Sequence, residues 1–142
     1  MGSLDAVGSL RECLSALLAT CDGIDAEILV VDASDDGSAG VARAFPTVRF
    51  ISLPPGTLVP ALWGAGLRQA RGRVVAFTIG QCLVDAGWAR ALLEGIRGGA
   101  GGVGGRLGVR RGTGMTGRAT FYLRYSAWLG VPDGAAHEIA GD

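Results

Sequence analysis

Hydrophobic and polar positions fall into two alternating patterns along this chain. From Glu27 the sequence enters a continuous apolar run, Ile28-Leu29-Val30-Val31, that stops at Asp32. Short apolar, β-branched runs of this kind read as strands buried on both faces. Val48 to Leu53 and Arg73 to Thr78, the latter built on Val74-Val75-Ala76-Phe77, predict a second and a third strand. Between them the apolar positions take helical spacing. Leu10, Cys13, Leu14, Leu17 and Leu18 fall on one face of a helix running to about Thr20, with Ser9 and Glu12 as its capping box. Ser38 to Phe45 predicts a short helix stopped by Pro46, and Leu58 to Arg71 a longer one closed by Gly72. Asp85 is placed to cap a fourth helix carrying Trp88, Leu92, Leu93 and Ile96. A glycine run, Gly98 to Gly105, leads into a short strand around Val103–Val109, and Phe121, Tyr125 and Trp128 suggest a last amphipathic helix.

Strands alternating with helices imply an α/β fold: a mostly parallel sheet with helices on both faces. The chain is expected to form one domain over 1–142, incomplete at its ends. The first helix needs a sheet to pack on, and the sequence predicts no strand before it. The sheet is therefore expected to lack its first strand, Met1-Gly2-Ser3 having the character of a cloning remnant. The edge so exposed would be open to pairing with a second copy.

Composition narrows the function classes. The 142 residues are 49% hydrophobic and 18% charged, which places the chain among globular domains rather than disordered ones. Formal net charge is zero, against a strong nucleic-acid or anionic-membrane surface. No apolar run approaches the ~20 residues of a membrane span, and the N-terminus lacks signal-peptide character, so a cytoplasmic location is expected. All 13 basic residues are arginine, which removes Schiff-base chemistry on lysine. Cys13, Cys21 and Cys82 have no metal-ligand spacing and read as reduced thiols. Gly99-x-Gly101-x-x-Gly104 and Gly112-x-Gly114-x-x-Gly117 match a dinucleotide fingerprint, but neither sits in a complete βαβ unit.

The candidate chemistry centres on the turn after the first strong strand, Asp32-Ala33-Ser34-Asp35-Asp36-Gly37-Ser38. A carboxylate at the carboxyl end of a parallel strand lies at the rim where open α/β sheets bind ligands. The other reading is that Asp32 and Ser34 cap the next helix and do nothing more.

The stretch from Glu27 to Trp88 resembles a family 2 glycosyltransferase with the GT-A nucleotide-sugar fold. VVDASDDGS resembles that family's VVD-x-S-x-DGT corner, and Arg43 to Leu53 its second helix end and strand. Ala65 to Phe77 resembles its AGL-x-x-A-x-G-x-x-x-x-F, Asp85 and Trp88 its D-x-x-W, and Gly101 to Leu107 its GG-x-GG strand. The resemblance implies transfer of a sugar from a nucleotide diphosphate donor to an acceptor hydroxyl, with Asp32, Ser34 and Asp35 in the nucleotide-binding corner and 110–142 as an acceptor-side segment. It also implies Mg²⁺ or Mn²⁺ on a D-x-D after the third strand. Here that position reads Ile79-Gly80-Gln81, without a carboxylate. Inverting transfer without a metal is therefore expected, with Arg106, Arg110 and Arg111 as phosphate-binding candidates and Glu138 and Asp142, in the tail HEIAGD, as candidates for the acceptor base. The alternatives are a non-catalytic relative or fragment that binds a nucleotide or a partner, and an unrelated Rossmann-like sheet.

Overall fold

The computed structural model describes residues 1–126. It divides into one unit from Met1 to Val103 and another from Gly104 onward.

The first unit is a parallel three-stranded sheet in the order β1 (Gly2–Ser3), β2 (Ile28–Asp32), β3 (Val48–Ser52). Helices α1 (Val7–Thr20), α2 (Ser38–Arg43), α3 (Val59–Gln69) and α4 (Trp88–Arg97) surround it. Alternation along β2 decides what each face buries. Ile28 and Val30 join Leu10, Leu14 and Leu17 of α1, with Val41, Val48, Phe50 and Trp88 packed around them. Val31 and Ala33 face the other way, against Leu62 and Ala65 of α3, with Ile51 and Val59 beside them. The pairing of Val30 with Phe50 and Val31 with Ile51 keeps both faces in step. Helices thus cover both faces of a parallel sheet, as the sequence pattern predicts.

The start of the chain departs from expectation. Gly2 and Ser3 form β1 itself, opposite Val31 and Asp32, so the first strand is present as a two-residue piece. Both residues are buried. Gly2 has no side chain for a reason: a Cβ there would meet the Trp63 indole at 3.3 Å.

The predicted strand Arg73–Thr78 is not formed, and only its end touches the sheet. Gly2 N–H donates to Thr78 O at 2.9 Å and Gly80 N–H to Gly2 O at 2.9 Å. A strand exists only beside a partner. β1 offers one for Thr78 to Gly80 and none further back. The strand expected at Val103–Val109 is likewise absent. The glycines before and within it carry no side chains to pack and lose the most backbone entropy on ordering.

Two helix starts also differ. α1 begins at Val7 with Ala6 before it, so Ser9 lies inside the helix and forms no capping box. Its hydroxyl donates instead to Gly80 O at 2.8 Å. α4 begins at Trp88, and its early N–H at Ala89 donates to Thr20 Oγ1, at the end of α1, at 3.1 Å. Asp85 contributes its backbone carbonyl to Trp88 N–H, at 3.0 Å, and no side-chain cap.

The described part of the second unit carries one helix, α5 (Met115–Tyr125). Phe121 packs on Tyr125 with ring centres 5.2 Å apart, one turn along the expected aromatic stripe. Trp128 lies outside the described residues. No described helix is long and apolar enough to cross a membrane.

Candidate functional site

The carboxyl ends of β1 and β2 meet in a linked corner. Asp32 closes β2 and is 1% exposed. Both its oxygens are taken by Ser34: Oδ1 accepts from the Ser34 hydroxyl at 2.8 Å and Oδ2 from Ser34 N–H at 3.2 Å. This is an Asx turn, which folds the chain back just beyond the sheet. The Ser34 oxygen in turn accepts from Asp5 N–H at 2.8 Å. Asp5 has φ of 50°, the left-handed region, where aspartate is among the few residues tolerated. The relay from Asp32 through Ser34 to Asp5 therefore fixes the β1–α1 turn in an uncommon conformation.

Asp36 makes the second tie. Its Oδ2 accepts from Val7 N–H, at the start of α1, at 3.0 Å. Its Oδ1 accepts from Ser38 N–H at 3.0 Å and the Ser38 hydroxyl at 2.6 Å. One carboxylate thus serves the amino ends of α1 and α2, where partial positive charge accumulates. The Ser38 hydroxyl, and after it Val7 N–H, hold the Asp36 carboxyl below its ordinary range.

The sequence places Asp32 and Ser34 either on a ligand or on the next helix. In the structure Ser34 reaches Asp5 in the turn before α1, 29 residues earlier, and Asp36 reaches both Val7 at the start of α1 and Ser38 at the start of α2. Asp36 is not a residue that the sequence singles out for the site. Its local signal, an Asp two residues before the first helical Ser38, marks a helix start, but nothing local points to Val7. Asp35 projects outward as an exposed residue of the same turn.

The third contributor comes from the crossing at 79–82. Gly80 is buried so closely that a Cβ would lie 2.8 Å from Ala6 Cβ. Gln81 follows it, and its side-chain amide donates to the Leu4 carbonyl at the end of β1. The rim is thus assembled from three chain segments: Leu4 to Val7, Asp32 to Ser38 and Gly80 to Gln81.

The family model for glycosyl transferase family 2 matches residues 5–128. The chain belongs to that family. Neither a curated protein nor a solved structure matches it. The glycosyltransferase match runs through all of the rim except Leu4, and its end falls beyond α5.

The metal that this glycosyltransferase family implies does not fit the residues present. At the position of the expected carboxylates stands Gln81, whose amide nitrogen is already engaged with Leu4. Asp32 is sealed by Ser34, and Asp36 by Val7 and Ser38. Among the described residues there is no group of three or more His, Cys, Asp or Glu that could hold an ion. A hard cation requires several free oxygens.

The remaining predicted residues lie apart from the rim in sequence. Arg106, Arg110 and Arg111 belong to the second unit. There Arg110 and Arg111 line a hollow of about 360 Å³ together with Arg118, Phe121 and Tyr122. Glu138 and Asp142 lie outside the described residues.

Proposed function

We propose that this domain transfers a sugar from a nucleotide diphosphate donor to an acceptor hydroxyl, with inversion, and binds the donor without a metal at the rim of β1 and β2. The observation that carries this reading is a polar turn at the carboxyl ends of two parallel strands, held by side-chain hydrogen bonds, in a chain of this family.

The roles follow from accessibility. Asp32 is a positioning residue, because both its oxygens hold the turn. Asp35, exposed on that turn, is the group free to reach a nucleotide hydroxyl or base. Inversion is a single displacement. The acceptor oxygen attacks the anomeric carbon from the face opposite the diphosphate, the bond to the diphosphate oxygen breaks, and a carboxylate base takes the hydroxyl proton. Glu138 and Asp142 are the proposed bases. A metal would contribute several kcal/mol to the leaving diphosphate. Charge-assisted contacts from arginine contribute ~1.5–3 kcal/mol each, and Arg106, Arg110 and Arg111 are the arginines that the sequence resemblance proposes for that charge.

The test is donor turnover, followed as release of the nucleoside diphosphate, with and without a chelator. Equal rates support the reading. Turnover abolished by the chelator and restored by Mn²⁺ would overturn the metal-free mechanism.

A further inference from the structure

Charge is not spread evenly along this chain. Residues 104–126, the described part of the second unit, hold five arginines and neither an aspartate nor a glutamate. The first 103 residues hold eight arginines against ten acidic residues. A whole-chain net charge of zero therefore conceals a cationic segment.

That segment is built from a turn and a helix. Thr113 N–H and its hydroxyl both donate to Arg110 O, at 3.2 and 2.8 Å, closing a turn that carries Arg111. The turn lies against α5 because Gly117 has no Cβ; one there would meet Thr113 Cγ2 at 2.7 Å. Arg110 and Arg111 from the turn, with Arg118, Phe121 and Tyr122 from α5, line the hollow of about 360 Å³. Phe121 and Tyr125 are half-buried. A different stripe of α5 stays in water. Met115, Ala119 and Leu123 follow at i, i+4 and i+8, with Tyr122 beside them. Met115 is 87% exposed, Leu123 86% and Tyr122 47%. Arg118 borders this stripe one turn before Tyr122, and Arg124 follows Leu123 toward the side of Thr116 and Thr120. No ion pair with a described residue holds Arg118 or Arg124.

An exposed apolar stripe beside cationic side chains fits the boundary of an anionic bilayer. Apolar side chains enter the acyl layer there, and guanidinium groups stay at the phosphates while their stems lie along apolar surface. A nucleic acid would use the arginines and leave Met115 and Leu123 in water. We propose that α5 is a docking surface for an anionic phospholipid bilayer, lying in the plane of the interface with Met115, Leu123 and Tyr122 among the lipids and Arg118 and Arg124 at their phosphates. At 11 residues α5 is too short to cross a membrane, and it needs only to lie along one. A single weak anchor binds reversibly, so the apolar stripe and the arginines act together. None of Met115, Arg118, Leu123 and Arg124 has a part in the donor binding proposed above, so docking and donor binding are tested separately.

The experiment floats the full chain with vesicles of phosphatidylcholine alone and with vesicles of equal parts phosphatidylcholine and phosphatidylglycerol. Flotation is expected with the mixed vesicles and not with phosphatidylcholine. Met115→Ser/Leu123→Ser and Arg118→Gln/Arg124→Gln are each expected to lower the partition coefficient at least tenfold, each arginine near an anionic surface contributing roughly fivefold. All four side chains are exposed, so both variants should keep the circular dichroism and thermal midpoint of the parent. Flotation with neither vesicle, or equally with both, would overturn the proposal. So would binding to mixed vesicles that Met115→Ser/Leu123→Ser leaves intact and an oligonucleotide competes away, which would assign the arginines to a polyanion. Self-association that Met115→Ser/Leu123→Ser abolishes, without vesicle binding, would assign the stripe to a second copy and overturn the proposal as well.

Discussion

Asp32 shows how one residue can carry a family's signature and still be inaccessible. Its carboxylate is buried and spent on Ser34. Replacing it with Ala leaves the Ser34 N–H and hydroxyl without their acceptor, and a buried donor so stranded costs on the order of 1–3 kcal/mol. Asp32→Ala is therefore expected to lower the denaturant midpoint as well as weaken donor binding, whereas Asp35→Asn should weaken binding and leave the midpoint unchanged. Equilibrium unfolding beside calorimetry separates the two. Gly80 is the complementary case. A methyl group there meets Ala6 at 2.8 Å, so Gly80→Ala is an overpacking change of roughly 1–3 kcal/mol, detectable in the same unfolding experiment. The sequence marks Asp32, Ser34 and Asp35 because strand ends and turn chemistry are local. It is silent on Asp36 reaching Val7 and on Thr20 reaching Ala89, because those partners are 29 and 69 residues apart.

At the scale of elements, every predicted strand or helix with a strong apolar pattern and a partner to pack on is present. Residues 7–20, 28–32, 48–52 and 59–69 fall within a few positions of their expected limits. The failures share one cause. Arg73–Thr78 and Val103–Val109 have strand-like sequence, but a strand needs a neighbour, and sequence pattern reports propensity rather than pairing. Two pH effects belong here. Glu27 accepts from Arg71 N–H and pairs with Arg49 at 2.6 Å, tying the start of β2 to β3 and the segment after α3. The Arg71 backbone bond first, then the Arg49 contact, hold its carboxyl below its ordinary range. A carboxylate depressed in the fold contributes stability above its unfolded pKa and loses it as pH falls through the folded one. Chemical denaturation followed down through the carboxylate range should therefore show falling stability, less so in Glu27→Gln. The Met1 amine acts in the opposite region. Its folded pKa of about 6 lies below the ordinary 8.0, so protonation favours the unfolded chain. Stability should rise between about pH 6 and pH 8 by ~2–3 kcal/mol, and Nα-acetylation should flatten that rise.

For the whole molecule, the chain is a family 2 glycosyltransferase domain in which the position expected to carry metal-binding carboxylates reads Ile79-Gly80-Gln81. That position is not a gap in the structure. Gln81 binds Leu4, Ser9 holds Gly80, and Ser34 and Asp36 brace the start of α1. Those bonds tie together the three segments of the rim at which the donor is proposed to bind, and ordering held in advance lowers the cost of binding. The rim is proposed to bind a nucleotide diphosphate with no divalent ion. Calorimetric titration of the folded domain with UDP and GDP, in chelator and again in Mn²⁺, is the test. Binding of one of the two is expected in chelator, unchanged by Mn²⁺ and weakened at least tenfold in Asp35→Asn. No binding of either in chelator, with binding restored by Mn²⁺, would contradict it.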